Sequence, residues 1–176
     1  MDYRVTRGCP NCNKYSRVSI PEKAIALYIS QAIPDVKESY HQNDSLGFFE
    51  IDIFLPDHKI GIEYDGEAFH KDVERDREKD RRCQQLGIKL IHVREKKCPE
   101  IDSPYVITCE SGLNQKFNWT VHEVFQLLNK LTGKQYTADI DVNRDIAKII
   151  AKKYEAVRER SLGNRYPNLA KELHPD

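Results

Sequence analysis

Residues 48–95, FFEIDIFLPDHKIGIEYDGEAFHKDVERDREKDRRCQQLGIKLIHVRE, contain the pattern that decides the fold. Two runs of alternating residues, 50–55 and 60–65, flank a short Pro/Asp turn, and this arrangement is typical of an antiparallel hairpin. With the turn centred on residues 57–58, three apolar pairs fall on one face of the hairpin. The pairs are Leu55 with Ile60, Ile53 with Ile62, and Ile51 with Tyr64. This face is therefore predicted to be core.

The other face of the same hairpin carries acids. The period of two along a strand places Glu50 opposite Asp65, Asp52 opposite Glu63, and Phe54 opposite Gly61. Like charges at opposed positions destabilise a sheet, whereas a divalent cation that prefers oxygen ligands turns the repulsion into coordination. We therefore expect a magnesium site here, with acids that splay into water as the alternative. A register slip of one residue would scatter the acids.

The segments around the hairpin complete an α/β pattern. They are a helix from a capping box at Ser19 and Glu22 to Ala32, a strand at 36–42, the hairpin, a helix from Asp72 to Leu86 before Gly87, and a strand at 88–93. A strand, a helix and a strand in this order form a right-handed crossover between parallel strands. The predicted core is therefore αβββαβ with a mixed sheet.

The rest of the chain predicts an edge strand at 105–108 and C-terminal helices. A second capping box at 120–123, with Trp119 as a hydrophobic staple, predicts a helix that ends at Gly133. Apolar residues at helical spacing predict a last amphipathic helix over 142–160. Both helices are expected to be packing elements.

The composition indicates a globular chain of 176 residues, with 32% charged and 39% hydrophobic residues. No apolar run reaches the length of a membrane span and no signal-peptide pattern opens the sequence, so a cytoplasmic location is expected. Lys+Arg and Asp+Glu both number 28. The neutral balance neither favours nor excludes nucleic acid as a partner.

The five cysteines argue against a disulfide framework, because their number is odd and the chain is expected to be cytoplasmic. Cys9 and Cys12 form a CxxC knuckle, which is half of a tetrahedral zinc site. Either distant ligands complete it, or the other knuckle lies upstream of this sequence. Cys83 falls in a predicted helix and is expected to be a small buried residue.

Residues 19–95 resemble the PD-(D/E)XK nuclease superfamily, and most closely the branch of very-short-patch-repair endonucleases. The resemblance is carried by Asp52 and Glu63 on adjacent strands, by the run at 74–77, and by Leu-Gly-Ile-Lys-Leu-Ile at 86–91 followed by Glu95. It implies a restriction-endonuclease-like αβββαβ core and a magnesium- or manganese-dependent endonuclease that acts on DNA. The terminal segments, Cys-Pro-Asn-Cys and residues 166–175, look like edges of the zinc-ribbon repeats that accompany such domains.

The resemblance implies a ligand set for the metal ion. Asp52 and Glu63 are the expected strand ligands, the backbone carbonyl of Tyr64 a third, and Glu22 completes the shell or serves only as a helix cap. The sequence departs from the family at Asp65, which stands where a lysine is expected. Asp65 is kept among the site residues as part of the acidic patch.

His70 and Lys71 are the expected substitutes for the missing lysine, because a histidine in this connection assists proton transfer in the family. The alternative is that His70 is a surface bystander. Lys71, Arg75 and Lys79 are expected to contact DNA, although charged residues on such a helix more often face solvent.

The sequence divides into four expected units. These are a zinc-ribbon-like knuckle at 1–18, the nuclease core at 19–115, a helical extension at 116–162, and a linker or further repeat at 163–176. Because the motif lysine is absent, the alternative function is a nucleic-acid-binding module whose nuclease fold has lost catalysis. The sequence leaves the DNA target and the oligomeric state open.

Overall fold

The computed structural model describes residues 18–41, 46–47, 49–70 and 72–165. Predictions for Cys9, Cys12, Lys71 and residues 166–176 lie outside this part. The elements are α1 (Ile20–Ala32), β1 (Lys37–His41), β2 (Glu50–Leu55), a 3-10 turn (Pro56–His58), β3 (Ile60–Asp65), α2 (Val73–Gln85), β4 (Lys89–Glu95), β5 (Val106–Cys109), α3 (Phe117–Thr132) and α4 (Val142–Arg165). The chain thus has the predicted α/β core followed by C-terminal helices.

The five strands form one mixed sheet in the order β1-β2-β3-β4-β5. The first three strands pair antiparallel, and the pairs β3 with β4 and β4 with β5 are parallel. In the hairpin, Ile53 pairs with Ile62, Phe54 with Gly61, and Leu55 with Ile60. The register predicted from the alternating pattern is therefore confirmed over these three pairs.

Beyond Ile53 the hairpin departs from a regular ladder. The amide of Tyr64 donates to the Asp52 carboxylate at 3.0 Å, and the amide of Asp52 donates to the Glu63 carboxylate at 3.0 Å. The predicted pairing of Ile51 with Tyr64 is wrong for this reason, because carboxylates take the place of backbone acceptors. Ile51 instead joins an apolar cluster apart from Ile53.

Two apolar clusters cover the two faces of the sheet. The larger contains residues of α1, α3 and α4 together with Ile53, Ile62 and Ile91. The smaller contains Cys83 of α2, confirmed as buried, and Ile51, Phe54 and Leu90 from the sheet. Other residues of the smaller cluster are Leu46 and Ile88. The face predicted to carry acids is therefore apolar where α2 crosses it, and the acids are confined to one end.

Helix α1 begins as predicted. Glu22 N–H donates to the Ser19 hydroxyl at 3.0 Å and Ser19 N–H donates to the Glu22 carboxylate at 3.2 Å, which is a complete capping box. The helix at 72–86 is also confirmed, with Asp72 as N-cap and Gly87 in the left-handed region at φ +71°. That backbone conformation favours glycine.

Helix α3 begins earlier than the sequence predicts. Its first residue is Phe117, which is fully buried and contacts the Tyr64 ring edge-on. The predicted capping box at 120–123 and the staple at Trp119 are therefore wrong, since Trp119 lies inside the helix and is 65% exposed. Burial of Phe117 accounts for the earlier start. The predicted end at Gly133 is confirmed.

Helices α3 and α4 supply residues to the same core as the sheet, among them Phe117, Val124 and Ile149. The buried hydroxyl of Tyr28 donates to Asp145 at 3.2 Å and joins α1 to α4. Among the described residues, no helix has both the length and the hydropathy needed to cross a membrane.

Gly61 tests the packing of β2, β3 and β4. A Cβ at this position would lie 2.7 Å from Leu90 Cδ1 and 3.0 Å from Ile51 Cγ2, so one of them must move. We expect Gly61→Ala to lower the free energy of unfolding by about 1–3 kcal/mol, because overpacking strains a buried cluster. Urea denaturation measures the effect. Gly66→Ala is the control, since its nearest heavy atom lies 3.7 Å away, and equal losses in the two variants would contradict the prediction.

Candidate active site

A cleft of about 600 Å³ opens where β2 and β3 part. Its wall includes the N-terminus of α1, the loop after β3, the inner face of α2 and the loop after β5. The residues predicted for the site that line it are Glu22, Asp52, Glu63, Tyr64, His70, Arg75 and Lys79. The fold therefore brings most of the predicted site residues into one space.

Asp52 and Glu63 lie side by side at the base of this cleft. Each carboxylate accepts a backbone N–H from the neighbouring strand, Asp52 from Tyr64 and Glu63 from Asp52. Glu63 is almost fully buried and Asp52 is half-buried. Burial, followed by the charge of Asp52, raises the pKa of Glu63 to about 8. Burial also raises the pKa of Asp52.

Lys79 supplies a positive charge to the two acids. Its ammonium lies 2.5 Å from Glu63 Oε2, on a side chain that is 14% exposed. Burial lowers the pKa of Lys79, but the carboxylates of Glu63 and Asp52 outweigh it and raise the pKa overall. Helix α2 thus brings a lysine to the acids, although position 65 of β3 holds an aspartate.

The position of Lys79 could have been found in the sequence. Cys83 is the one strongly apolar residue near the end of α2 and marks its inward face. Lys79 and Asp76, four and seven residues earlier, share that face by helical periodicity. The dense charge of α2 concealed this signal.

Glu22 reaches the cleft from α1. One oxygen accepts from Ser19, while Lys23 Nζ lies 2.9 Å from the other, Oε1, outside hydrogen-bond geometry. Burial, followed by the charge of Asp52, raises the pKa of Glu22 to about 7. Lys23 is also buried and pairs with Glu38 at 2.7 Å.

Asp65 is not on the cleft wall. Arg94 donates to its Oδ2 at 2.6 Å and His92 Nδ1 lies 2.8 Å from the same atom. Burial opposes ionisation, but the hydrogen bond from His92 and the nearby positive charges dominate and lower the pKa of Asp65 to about 2. The predicted patch of four acids is therefore wrong at Asp65, because fixed cations from β4 hold it away from the cleft. Glu50 does line the cleft, beside His41.

His70 lies in the loop that follows β3. Its Nδ1 is 3.2 Å from Asp65 Oδ1 and 3.2 Å from Asp76 Oδ1. Within the described ranges, these three residues form the one set of three candidate ligands whose donor atoms all lie within 4.8 Å of one another. Glu22, Asp52 and Glu63 share the cleft but are not that close.

The donors at the cleft suit a hard divalent cation. Glu22 Oε1 is buried with Lys23 Nζ 2.9 Å away, and Asp52 accepts only at Oδ2 among the described residues. Tyr64 also lines the cleft and donates its backbone N–H to Asp52. Carboxylate and carbonyl oxygens are the ligands that magnesium prefers. The residue types therefore suit the ion that the sequence implies, and an ion bound by Glu63 would displace the Asp52 N–H or Lys79 from its two oxygens.

The rim of the cleft carries residues of a different kind. Arg75 is exposed and its guanidinium lies 5.8 Å from the centroid of the Phe49 ring. Phe69 is 72% exposed beside His70. Sequence reasoning missed Phe69 and also the buried pair His92 and Arg94. The signal for His92 and Arg94 was that polar residues stand at alternate positions of β4, while the other face of this strand is apolar.

Comparison with protein-family models, curated proteins and solved structures finds no match to this chain. The case for a function therefore depends on the geometry of the cleft and on the sequence pattern.

Proposed function

We propose that this protein is a metal-dependent endonuclease that hydrolyses phosphodiester bonds in DNA. The observation that carries the proposal is the grouping of Asp52, Glu63 and Lys79 at one end of a cleft. Two acids and a lysine on adjacent elements are the groups that phosphodiester hydrolysis needs to hold a cation and to balance phosphate charge.

Asp52, Glu63, the carbonyl of Tyr64 and Glu22 would hold a magnesium or manganese ion. A bound ion of this kind lowers the pKa of water and shields the negative charge of the scissile phosphate. The residues contribute by keeping several carboxylate oxygens in a partly buried space, where interactions between charges are stronger than in water.

Lys79 takes the part of the lysine that position 65 lacks. Its flexible stem allows the ammonium to move from Glu63 toward a phosphate oxygen, while remaining near the acids. Arg75, at the exposed rim, is placed to contact the DNA backbone. His70 is the candidate for proton transfer. The contact of Lys71 with DNA stays a prediction, and so does the cytoplasmic location.

The motive for the alternative function, an inactive nucleic-acid-binding module, is the missing lysine at position 65. The contact between Lys79 and Glu63 weakens that motive, because a cation is present at the acids. The two functions differ in whether divalent-dependent cleavage occurs.

Asp52→Asn tests the proposal directly. We expect this variant to lose at least about 10²-fold in cleavage of duplex DNA with magnesium, because it removes a charged ligand. Cleavage is followed on labelled duplexes with magnesium, manganese or EDTA. Asp57→Asn, at the exposed opposite end of the same hairpin, is the matched control and should cleave at the parental rate. Parental cleavage by Asp52→Asn would refute the site, and DNA binding without any cleavage by the parent would favour the inactive module.

Lys79→Met should reduce the maximal rate by about 10²- to 10³-fold and leave the KM for DNA close to the parental value. The reason is that the ammonium stabilises charge that develops during the reaction rather than the bound ground state. Steady-state kinetics separates the two parameters. Lys89→Met removes an exposed lysine of β4 and serves as control. A rise in KM alone would assign Lys79 to DNA binding instead.

The raised pKa values predict an unusual pH dependence of stability in the metal-free protein. Folded Glu22 and Glu63 bind protons up to about pH 7 and 8, whereas the unfolded chain releases them near 4.5. The folded state therefore binds more protons over this range, and its stability falls as pH rises from about 5 to 8.

Glu63→Gln isolates one of these groups. Its free energy of unfolding should fall less steeply with pH than that of the parent, by up to about 1.4 kcal/mol per pH unit, because one titrating carboxyl is removed. Urea denaturation at several pH values in EDTA gives both slopes. Magnesium should flatten the parental slope, since ligands bind metal in the deprotonated form. Identical slopes for parent and variant would contradict the raised pKa of Glu63.

A further inference from the structure

We propose that Asp76 and Asp65 are positioning residues that hold His70 in the tautomer with its proton on Nδ1, so that the Nε2 lone pair faces the cleft. The tautomer follows from the contacts of the ring. Its consequence for catalysis rests on the proposed function.

The first support is the surroundings of Nδ1. Asp76 Oδ1 forms a hydrogen bond with this atom at 3.2 Å, and Asp65 Oδ1 lies at the same distance without hydrogen-bond geometry. Both neighbours are carboxylates, which accept hydrogen bonds when ionised and cannot donate them. A lone pair on Nδ1 would face two anions. The nitrogen must therefore carry the proton.

The second support is that both acids are fixed. Arg94 donates from one nitrogen to Asp65 Oδ2 at 2.6 Å and to Asp76 Oδ2 at 3.0 Å. Its Nε donates to the Pro99 carbonyl at 2.9 Å. The Arg94 guanidinium thus binds Oδ2 of both acids and leaves Oδ1 of each acid facing His70. The pair is buried at 1% and 8% exposure, so water does not compete strongly for these contacts.

The third support is the position of the ring relative to the cleft. His70 lines the cleft and its side chain is 25% exposed. Its backbone N–H donates to the Gly66 carbonyl at 3.1 Å, which closes the turn that presents the ring. Nε2 makes no hydrogen bond within the part of the chain that the structure describes. This nitrogen is therefore open to accept a proton from a group bound in the cleft.

The charged groups around His70 come from three elements. Asp65 belongs to β3, Asp76 to α2, and Arg94 and His92 to β4. His92 bridges Asp65 and Asp80, at 2.8 and 2.9 Å, and so ties the cluster to a second turn of α2. The same three donor atoms could instead bind a transition metal. The guanidinium of Arg94, already on both acids, disfavours a further cation there.

The tautomer can be read without any assay of cleavage. Long-range ¹H–¹⁵N correlation spectra of the intact protein, recorded with the imidazole ring neutral, report which ring nitrogen carries the proton. The His70→Ala variant assigns the signals. We expect the parent to show a protonated Nδ1 and an unprotonated Nε2. In Asp76→Asn the ring should move toward the Nε2-protonated form. Glu74→Gln is the matched control on the same helix, because Glu74 is exposed and pairs with Arg77 rather than with any member of this cluster.

The kinetic arm uses the same variants. Asp76→Asn should lower kcat by about 10- to 100-fold, a share of the factor that general acid–base catalysis contributes, with an unchanged KM for DNA. Glu74→Gln should be close to parental. A protonated Nε2 in the parent, or a His70 spectrum unchanged by Asp76→Asn, would overturn the proposal, as would stoichiometric zinc binding at Nδ1. If the parent fails to cleave DNA, the spectra alone decide the positioning role, and the proposed function fails separately.

Discussion

The structure depends on a local change of hydrogen-bond acceptors between β2 and β3, from backbone carbonyls to side-chain carboxylates. In a regular hairpin, each backbone N–H at this level would find a carbonyl on the facing strand. Here the carboxylates of Asp52 and Glu63 accept those hydrogen bonds instead. The strands part without leaving buried amides unpaired, which would be costly. A cleft can therefore open inside the sheet, and its base is necessarily acidic.

That acidic base is balanced by lysines from opposite sides. Lys79 of α2 approaches Glu63, and Lys23 of α1 approaches Glu22. Both pairs are largely buried, and Lys23 also pairs with Glu38. In the metal-free protein an ammonium group therefore lies beside each of these two acids. An incoming divalent ion would compete with these ammonium groups for the carboxylate oxygens.

The sequence predicted the fold well where pattern and turn chemistry agreed. The hairpin register over three pairs, the capping box at Ser19, helix α2 and the parallel crossover all follow from period, caps and strand length. It failed where burial overrode a local motif. Phe117 drew the start of α3 forward by a turn, and a good capping sequence was left in the helix interior.

The candidate site was predictable only in part, for a related reason. The strand acids were visible because the period of two places them on one face. Arg94 and His92 lie about thirty residues from Asp65 in sequence, and no local signal links them to it. Their pairing depends on the parallel alignment of β3 with β4, in which Asp65 is level with Arg94. The direction of the Asp65 side chain was therefore outside the reach of a hairpin pattern.

The capping box of α1 has a consequence for how this molecule can change. Glu22 closes the first turn with one oxygen, has Lys23 beside the other, and lines the cleft. Fraying of that turn would withdraw an acid from the wall, and a drift of the acid would fray the turn. The first turn of α1 and the position of the Glu22 carboxylate in the cleft are thus coupled, so a change in one changes the other.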